Sequence, residues 1–176
     1  MAPETDTAGR LPLTIADREP DWDTVYAQQL PRIYNFFCYR LRHEATAEDL
    51  TSQTFEKAWR ARHRYRKDIA GFATWLVAIA RNVANDHLRA RRQHAPLEAA
   101  ADVADACTPE DAHSHASDRE RLAALLERLP ERERELLAMK YGAGLTNRAI
   151  AELTRLSESN VGTIVHRAVQ TLRRDW

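Results

Sequence analysis

The sequence predicts an all-α protein, two small helical domains joined by a flexible acidic linker. Three observations predict it. Apolar residues recur in steps of three and four over long stretches, and no stretch shows the period of two of a half-buried strand. The 176 residues include 5 Gly and 7 Pro, too few turn formers for a sandwich or a barrel. Charge is also segregated. Although 26 Lys and Arg balance 26 Asp and Glu, residues 1–23 carry 2 basic and 6 acidic side chains, 24–93 carry 13 and 6, 94–118 carry 0 and 6, and 119–176 carry 11 and 8. Two basic blocks of net +7 and +3 therefore alternate with acidic stretches of net −4 and −6. Each block is near the smallest size that builds its own core.

Residues 1–21 hold Pro, Thr and Asp without periodicity and read as a flexible acidic arm. From Trp22 the apolar positions Tyr26, Leu30, Ile33, Phe37 and Leu41 describe one helix face. Pro31 falls inside that pattern and predicts a kink or a break. A second helix is expected from Thr46, whose hydroxyl can cap it, with Glu48 and Asp49 at the positive end of the dipole. Leu50, Phe55, Ala58 and Trp59 face inward. A basic cluster follows (Arg60, Arg62, Arg64, Arg66 and Lys67, around His63 and Tyr65), and Gly71 punctuates it. A third helix is expected over about 72–92, with Leu76, Ile79, Val83 and His87 on one face and Arg81, Asn85, Arg89 and Arg92 on another. These elements make a first domain over 22–93.

Residues 94–118 contain no Lys or Arg and read as an acidic linker. The block 119–176 is helical again. Leu122, Leu125, Leu126 and Leu129 form a stripe that ends at Pro130. Glu131, Glu133 and Glu135 favour a new helix start that runs on to Tyr141, where Gly142 and Gly144 stop it. Thr146 can cap a short helix through Ile150 and Leu153. Thr154, Arg155 and Leu156 make a tight turn, and Ser157 can cap a last helix carrying Val161, Ile164, Val165, Ala168 and Leu172.

Catalysis finds little support in these residues. No Gly-rich phosphate loop occurs, and Cys38 and Cys107 lack metal or redox spacing. The seven His are dispersed; His113 and His115 read as exposed linker. No cofactor and no metal are expected, and Cys38 reads as a small buried hydrophobe. No apolar run follows Met1, and the longest apolar stretch, Phe72 to Ala80, is about half a membrane span. The chain thus reads as cytoplasmic, without membrane insertion.

Nucleic-acid binding fits better. A short helix, a tight turn and a capped helix make a helix-turn-helix pattern whose second helix enters the major groove. Its outer face offers Ser159, Asn160, Thr163, His166, Arg167 and Gln170 to base edges and phosphates. In the first block, cations interleaved with Tyr65, Phe72 and Trp75 suit a single strand, where bases stack on rings and the backbone needs countercharge. Helical spacing would equally place Phe72 and Trp75 in the core, and for Trp59 the core is the better reading.

These residues resemble a known family. The stretch from Thr46 to Arg60 (TAEDLTSQTFEKAWR) is similar to the core-binding segment of bacterial RNA polymerase sigma factors. Phe72 to Arg89 (FATWLVAIARNVANDHLR) is similar to the promoter-element helix that follows it. Leu129 to Leu137 and Leu145 to Arg173 resemble the C-terminal helix-turn-helix domain. The order, spacing and length resemble the extracytoplasmic-function group, which keeps conserved regions two and four on a variable linker.

The resemblance implies a specificity subunit rather than an enzyme. Its partners would be the polymerase core, through the clamp helices of the largest subunit and the flap, promoter DNA, and an anti-sigma factor. It carries core binding over to Asp49, Gln53, Glu56 and Lys57. Capture of the melted minus-ten element goes to Arg64, Tyr65, Lys67, Gly71, Trp75, Arg81, Asn82, Asn85 and Arg89, with a base extruded from the stack. Reading of the minus-thirty-five duplex goes to Ser159, Asn160, Thr163, His166, Arg167 and Gln170.

Three departures carry expectations. Arg155 stands where relatives often have Gly, which calls for an altered turn or a left-handed residue. Gly162 replaces a basic residue and weakens its helix by roughly 1 kcal/mol. Leu76 replaces the second of two adjacent aromatics at the melting fork, which predicts weaker intrinsic melting. The competing function is a freestanding helix-turn-helix regulator with an N-terminal dimerisation or sensor domain. A helical enzyme or metal protein is the more remote alternative.

Overall fold

The computed structural model describes residues 21–41, 43–67, 70–93 and 113–176, of which 113–117 as backbone alone. The described residues form α1 (Trp22–Arg40), α2 (Glu44–Arg60), a 3₁₀ turn (Arg62–Arg64), α3 (Phe72–Gln93), α4 (His113–Arg128), α5 (Glu131–Leu137), a π-helical turn (Ala138–Gly142), α6 (Asn147–Thr154) and α7 (Glu158–Asp175). No strand occurs among them. The expected arm up to Pro20, the linker up to Ala112 and Cys107 lie outside the described residues, as do the side chains of His113 and His115. Helix α4 starts at His113, ahead of the boundary expected at 118.

Helix α1 runs unbroken through Pro31, so the expected break does not occur. Proline leaves the carbonyl four residues back without its amide donor. Here Pro31 and Ala27 are both exposed, and water can satisfy that carbonyl. Ile33 and Phe37 lie fully buried as the periodicity predicts, joined by Phe36, which the stripe of threes and fours had left out. Each such burial contributes about 1.5–3 kcal/mol.

Helix α2 begins at Glu44, two residues before the expected start, with His43 at its N-cap and no side-chain cap. Its inner face is Ala47, Leu50, Thr51, Thr54, Phe55 and Ala58. The two buried hydroxyls are satisfied within the helix, Thr51 Oγ1 donating to the Ala47 carbonyl at 2.6 Å and Thr54 Oγ1 to Leu50 at 2.7 Å. Trp59 departs from expectation: it is 49 % exposed. Ala58 fills the end of the buried stripe, and the next residue, about 100° further round the helix, falls at its rim. Helix α3 closes the block with Leu76, Val77, Ala80, Val83 and Ala84 buried. Leu76 is a core residue at 0 % exposure, on the apolar face where the periodicity places it. Its neighbour Trp75 is the half-exposed member of the pair.

In the second block, Leu125, Leu126 and Leu129 of the predicted stripe are buried, and Leu126 and Leu129 pack with Leu136, Leu137, Met139, Leu145, Ile150, Val161, Val165 and Ala168. The α-helix of α5 ends at Leu137 and gives way to the π-helical turn. Gly142 therefore does not stop a helix in a left-handed conformation; Gly144 takes that role at φ +68°. Gly142 instead permits contact: a Cβ there would lie 2.9 Å from the Asn35 carbonyl oxygen and from the Phe36 backbone. Through this turn the second block packs on α1, and the buried residues of both blocks form one cluster. The sequence predicted two separate cores.

Candidate nucleic-acid interface

The outer face of α2 carries Asp49, Gln53, Glu56 and Lys57, all exposed. They lie opposite the buried stripe because the inner positions follow the helical period. Glu56 is held by Arg60 one turn on, Nη2 to Oε1 at 2.6 Å. The face is a regular polar surface on a rigid element.

At the C-terminal end of α2 the chain turns sharply and the basic cluster begins. Arg62 donates to the Trp59 carbonyl at 2.9 Å and lays its guanidinium over the Trp59 ring, 4.2 Å from the centroid. Trp22 meets Trp59 edge-on at 5.2 Å and Phe72 at 5.6 Å. Phe72, Tyr65 and Trp75 then contact one another at 5.2–5.3 Å. Five rings thus bind the start of α1, the end of α2 and the start of α3 into one patch. Tyr65 and Trp75 are half-buried, while Arg64, Lys67 and Gly71 are exposed beside them. Partial burial raises the Tyr65 phenol above its usual value, so it stays a neutral donor. Gly71 has open space around it.

The rest of the predicted minus-ten set divides along α3. Asn82 and Arg89 are exposed, and Arg89 lies 3.4 Å from Asp86 on its own helix. Arg81 is bonded to the second block instead, and Asn85 to Arg40 of α1. Arg81 Nε donates to Glu135 Oε1 at 2.8 Å and its Nη1 to the Leu153 carbonyl at 2.9 Å. Asn85 Oδ1 accepts from Arg40 Nη2 at 3.2 Å. Arg40 in turn donates to the Glu131 carbonyl at 3.0 Å and to Glu131 Oε1 at 3.2 Å, and lies 3.8 Å from Glu135 Oε1. Arg92 bonds the other oxygen of Glu131. The Arg40 side chain is only 2 % exposed. Burial pulls its guanidinium down from its ordinary value, and Glu135 and Glu131 oppose that pull. Arginine remains charged through such a shift.

Sequence reasoning missed this cluster. One signal was legible: Arg40 falls three residues after Phe37 on the buried face of α1, and a cation there requires a counter-charge. Which acid supplies it could not be read from spacing.

The helix-turn-helix follows the predicted caps. Thr146 Oγ1 accepts from the Ala149 amide at 3.2 Å to start α6, and Ser157 Oγ accepts from the Asn160 amide at 3.2 Å to start α7. Between them Arg155 adopts φ 58° and ψ 29°, the left-handed residue expected where relatives have Gly. Val161, Val165 and Ala168 are buried, while Ser159, Asn160, Thr163, His166, Arg167 and Gln170 are all exposed. Three turns of α7 thus present an unbroken polar row. A Cβ at Gly162 would stand 3.4 Å from Asn147 Nδ2, so this glycine lies against α6 rather than in the outward row.

A helix-turn-helix with a free reading face, joined to a block with a cationic, aromatic patch, defines a DNA-binding transcription protein in two parts. The sequence profile of sigma-70 region 2 matches residues 25–94, and that of sigma-70 region 4 matches residues 119–172. The RNA polymerase sigma factor CarQ of Myxococcus xanthus is 32 % identical over 155 residues, covering 86 % of this chain and 87 % of its own length. The ECF RNA polymerase sigma factor BldN of Streptomyces coelicolor is 30 % identical over 99 % of this chain, which spans 62 % of that relative. Among solved structures, the sigma factor RpoE in complex with the anti-sigma factor NepR from Bartonella quintana shares the fold, with a TM-score of 0.75 at 20 % identity over 88 % of this chain and 96 % of that one. The chain belongs to the sigma-70 family of RNA polymerase sigma factors, in its extracytoplasmic-function group. Its class is that of promoter-specificity subunits, not of enzymes. No helix among the described residues is long and apolar enough to cross a membrane.

Proposed function

We propose that the chain binds core RNA polymerase through the outer face of α2, with Asp49, Gln53, Glu56 and Lys57 against the clamp helices of the largest subunit. It then directs the enzyme to promoters whose minus-ten strand it holds and whose minus-thirty-five duplex it reads. The observation that carries this reading is the pairing of two different DNA surfaces in one chain. The patch at the α2–α3 junction sets partly exposed aromatic rings beside exposed cations, the chemistry of a single-strand platform. The outward row of α7 has amide, hydroxyl, imidazole and guanidinium groups on a capped helix, the chemistry of major-groove readout. A chain that handles both a melted strand and an intact duplex suits a promoter-opening subunit better than a duplex-binding regulator.

In the minus-ten role, Tyr65 and Trp75 stack bases, Arg64, Lys67 and Arg89 neutralise phosphates, and Asn82, Asn85 and Gly71 shape the receiving pocket, with Arg81 beside them. The second block rests on the flap while α7 reads its duplex. A cytoplasmic site of action and an anti-sigma partner belong to the same proposal; RpoE, matched in fold, was solved with such a partner. Run-off transcription with core polymerase on a promoter library tests it: specific transcripts are expected only when both proteins are present. Tight sequence-specific duplex binding by the isolated chain, without association with core enzyme, would instead identify a freestanding helix-turn-helix regulator.

A further inference from the structure

We propose that Asn147, the first residue of α6, anchors the duplex by donating to a backbone phosphate past the missing side chain of Gly162. The proposal rests on the reading of α7 as the helix that enters the minus-thirty-five major groove. The observation behind it is a separate one. Asn147 Oδ1 is buried and has no hydrogen-bond partner among the described residues. A polar atom buried without a partner costs free energy and calls for an explanation. The packing of α6 on α7 supplies none, because alanine would occupy the same place in the helix without that cost.

Gly162 decides where the amide can act. Ser159 lies three residues before it and His166 four after, so the three positions stack along one edge of α7. Ser159 and His166 are exposed, and Gly162 between them is half-buried. A Cβ at Gly162 would stand 3.4 Å from Asn147 Nδ2. The donor end of the amide therefore faces the gap in that edge, while its acceptor end lies inside the protein. Thr146 Oγ1, bonded to the Ala149 amide, fixes the first turn of α6, so a rigid element presents the donor. With α7 in a major groove, the centre of its outer row meets base edges and the rim of that row meets the phosphates that wall the groove. An N–H at the rim gains a charge-assisted bond to a phosphate oxygen. A neutral amide displaces no counterion, so this bond adds affinity without adding salt dependence. A side chain at 162 would stand between donor and phosphate.

Three substitutions separate binding from folding. Asn147→Ala removes the donor together with the unpartnered acceptor. Asn147→Asp keeps the shape, and its charge suits a helix start but repels phosphate. Gly162→Ala replaces a poor helix former and sets a methyl group against Nδ2. Each full-length variant is melted alone, then assembled with core polymerase and bound to a duplex promoter recovered from the library by the unsubstituted chain. Single-base-pair variants of that duplex and several salt concentrations complete the measurement. Asn147→Ala should weaken binding to every duplex about tenfold, the loss of one hydrogen bond to a charged group, with an unchanged salt slope. Asn147→Asp should weaken it further, and Gly162→Ala about as much as Asn147→Ala. None should lower the melting midpoint. A loss confined to one base pair would make Asn147 a base reader and overturn the phosphate contact. A lowered midpoint in Asn147→Ala would make it a structural residue and overturn the proposal. Native binding by Gly162→Ala, with Asn147→Ala impaired, would overturn the role of the gap. Native binding by both Asn147 variants overturns the contact itself while Asn160→Ala and Arg167→Ala still weaken binding. If those two also bind as the unsubstituted chain does, the reading of α7 falls with it.

Discussion

Arg81 Nε lies 2.8 Å from Glu135 Oε1, and this bond ties a helix of the region-two block to the first helix after the Pro130 break. Glu135 is 12 % exposed at its side chain and Arg81 29 %. The pair is therefore poorly screened, and it sits next to Arg40, which is buried more deeply than either. Charge and burial together decide how much each arginine of the cluster contributes.

Arg40 and Arg92 both bond Glu131, yet they should differ in weight. Arg40 is 2 % exposed and makes further bonds to the Glu131 carbonyl and to Asn85, while Arg92 is 69 % exposed. Breaking a buried pair costs about 3–5 kcal/mol, whereas an exposed one contributes about 0–1 kcal/mol. Arg40→Ala should lower the urea midpoint strongly, its cost capped by the free energy of the contact between the blocks. Arg92→Ala should shift the midpoint little. Equal shifts would mean that burial does not set the hierarchy.

Arg155 is exposed and left-handed. A side chain in that conformation costs about 1–2 kcal/mol, which glycine avoids, while glycine gives back part through the entropy of its unfolded chain. Arg155→Gly should stabilise the second block by about 0.5–1 kcal/mol in thermal unfolding. Arg155→Val should destabilise it, because a β-branched residue fits that region worst. A neutral or destabilising Arg155→Gly would show that the Arg155 side chain contributes more than its backbone conformation costs.

Local chemistry was legible in the sequence, and the joining of the blocks was not. The helical period found Ile33, Phe37, Val161, Val165 and Ala168, and the hydroxyls of Thr146 and Ser157 announced their caps, because these depend on neighbours within a few residues. Trp59 was misplaced by about one helical position: at a stripe edge the period cannot say which large residue turns outward. Pro31 lost its disruptive effect to solvent, which spacing does not record. The Arg40 cluster and the Gly142 contact depend on residues about a hundred positions apart, and no local pattern encodes which block face meets which. Thus the predicted minus-ten residues share one block, but Arg81 and Asn85 were read as free when they are engaged.

On α7, position along the helix should separate readout from anchoring. Asn160 lies in the first turn, where a recognition helix meets base edges, and Arg167 lies further along the same exposed row. Asn160→Ala should relax discrimination at one promoter position by about 1–3 kcal/mol. Arg167→Ala should weaken all duplexes alike and reduce the slope of binding against salt by about one unit. Competition binding of the holoenzyme to duplex variants at several salt concentrations distinguishes the two. A sequence-selective loss in Arg167→Ala would transfer the readout role to it.

His87 on α3 should make the fold sensitive to mild acid. Burial lowers its pKa below the ordinary 6.5, and electrostatic repulsion from Arg91 and His43 lowers it further. Above the ordinary value both folded and unfolded chains carry neutral imidazole, and the group contributes no pH dependence. As pH falls through the unfolded value, the unfolded chain takes up a proton that the folded chain still refuses, so stability declines until the folded value is passed. His87→Gln keeps a polar group of similar size and removes the titration. Urea unfolding of the full chain between about pH 7 and pH 5 should show a falling midpoint whose slope is shallower in His87→Gln. An unchanged slope would assign the acid sensitivity to other groups.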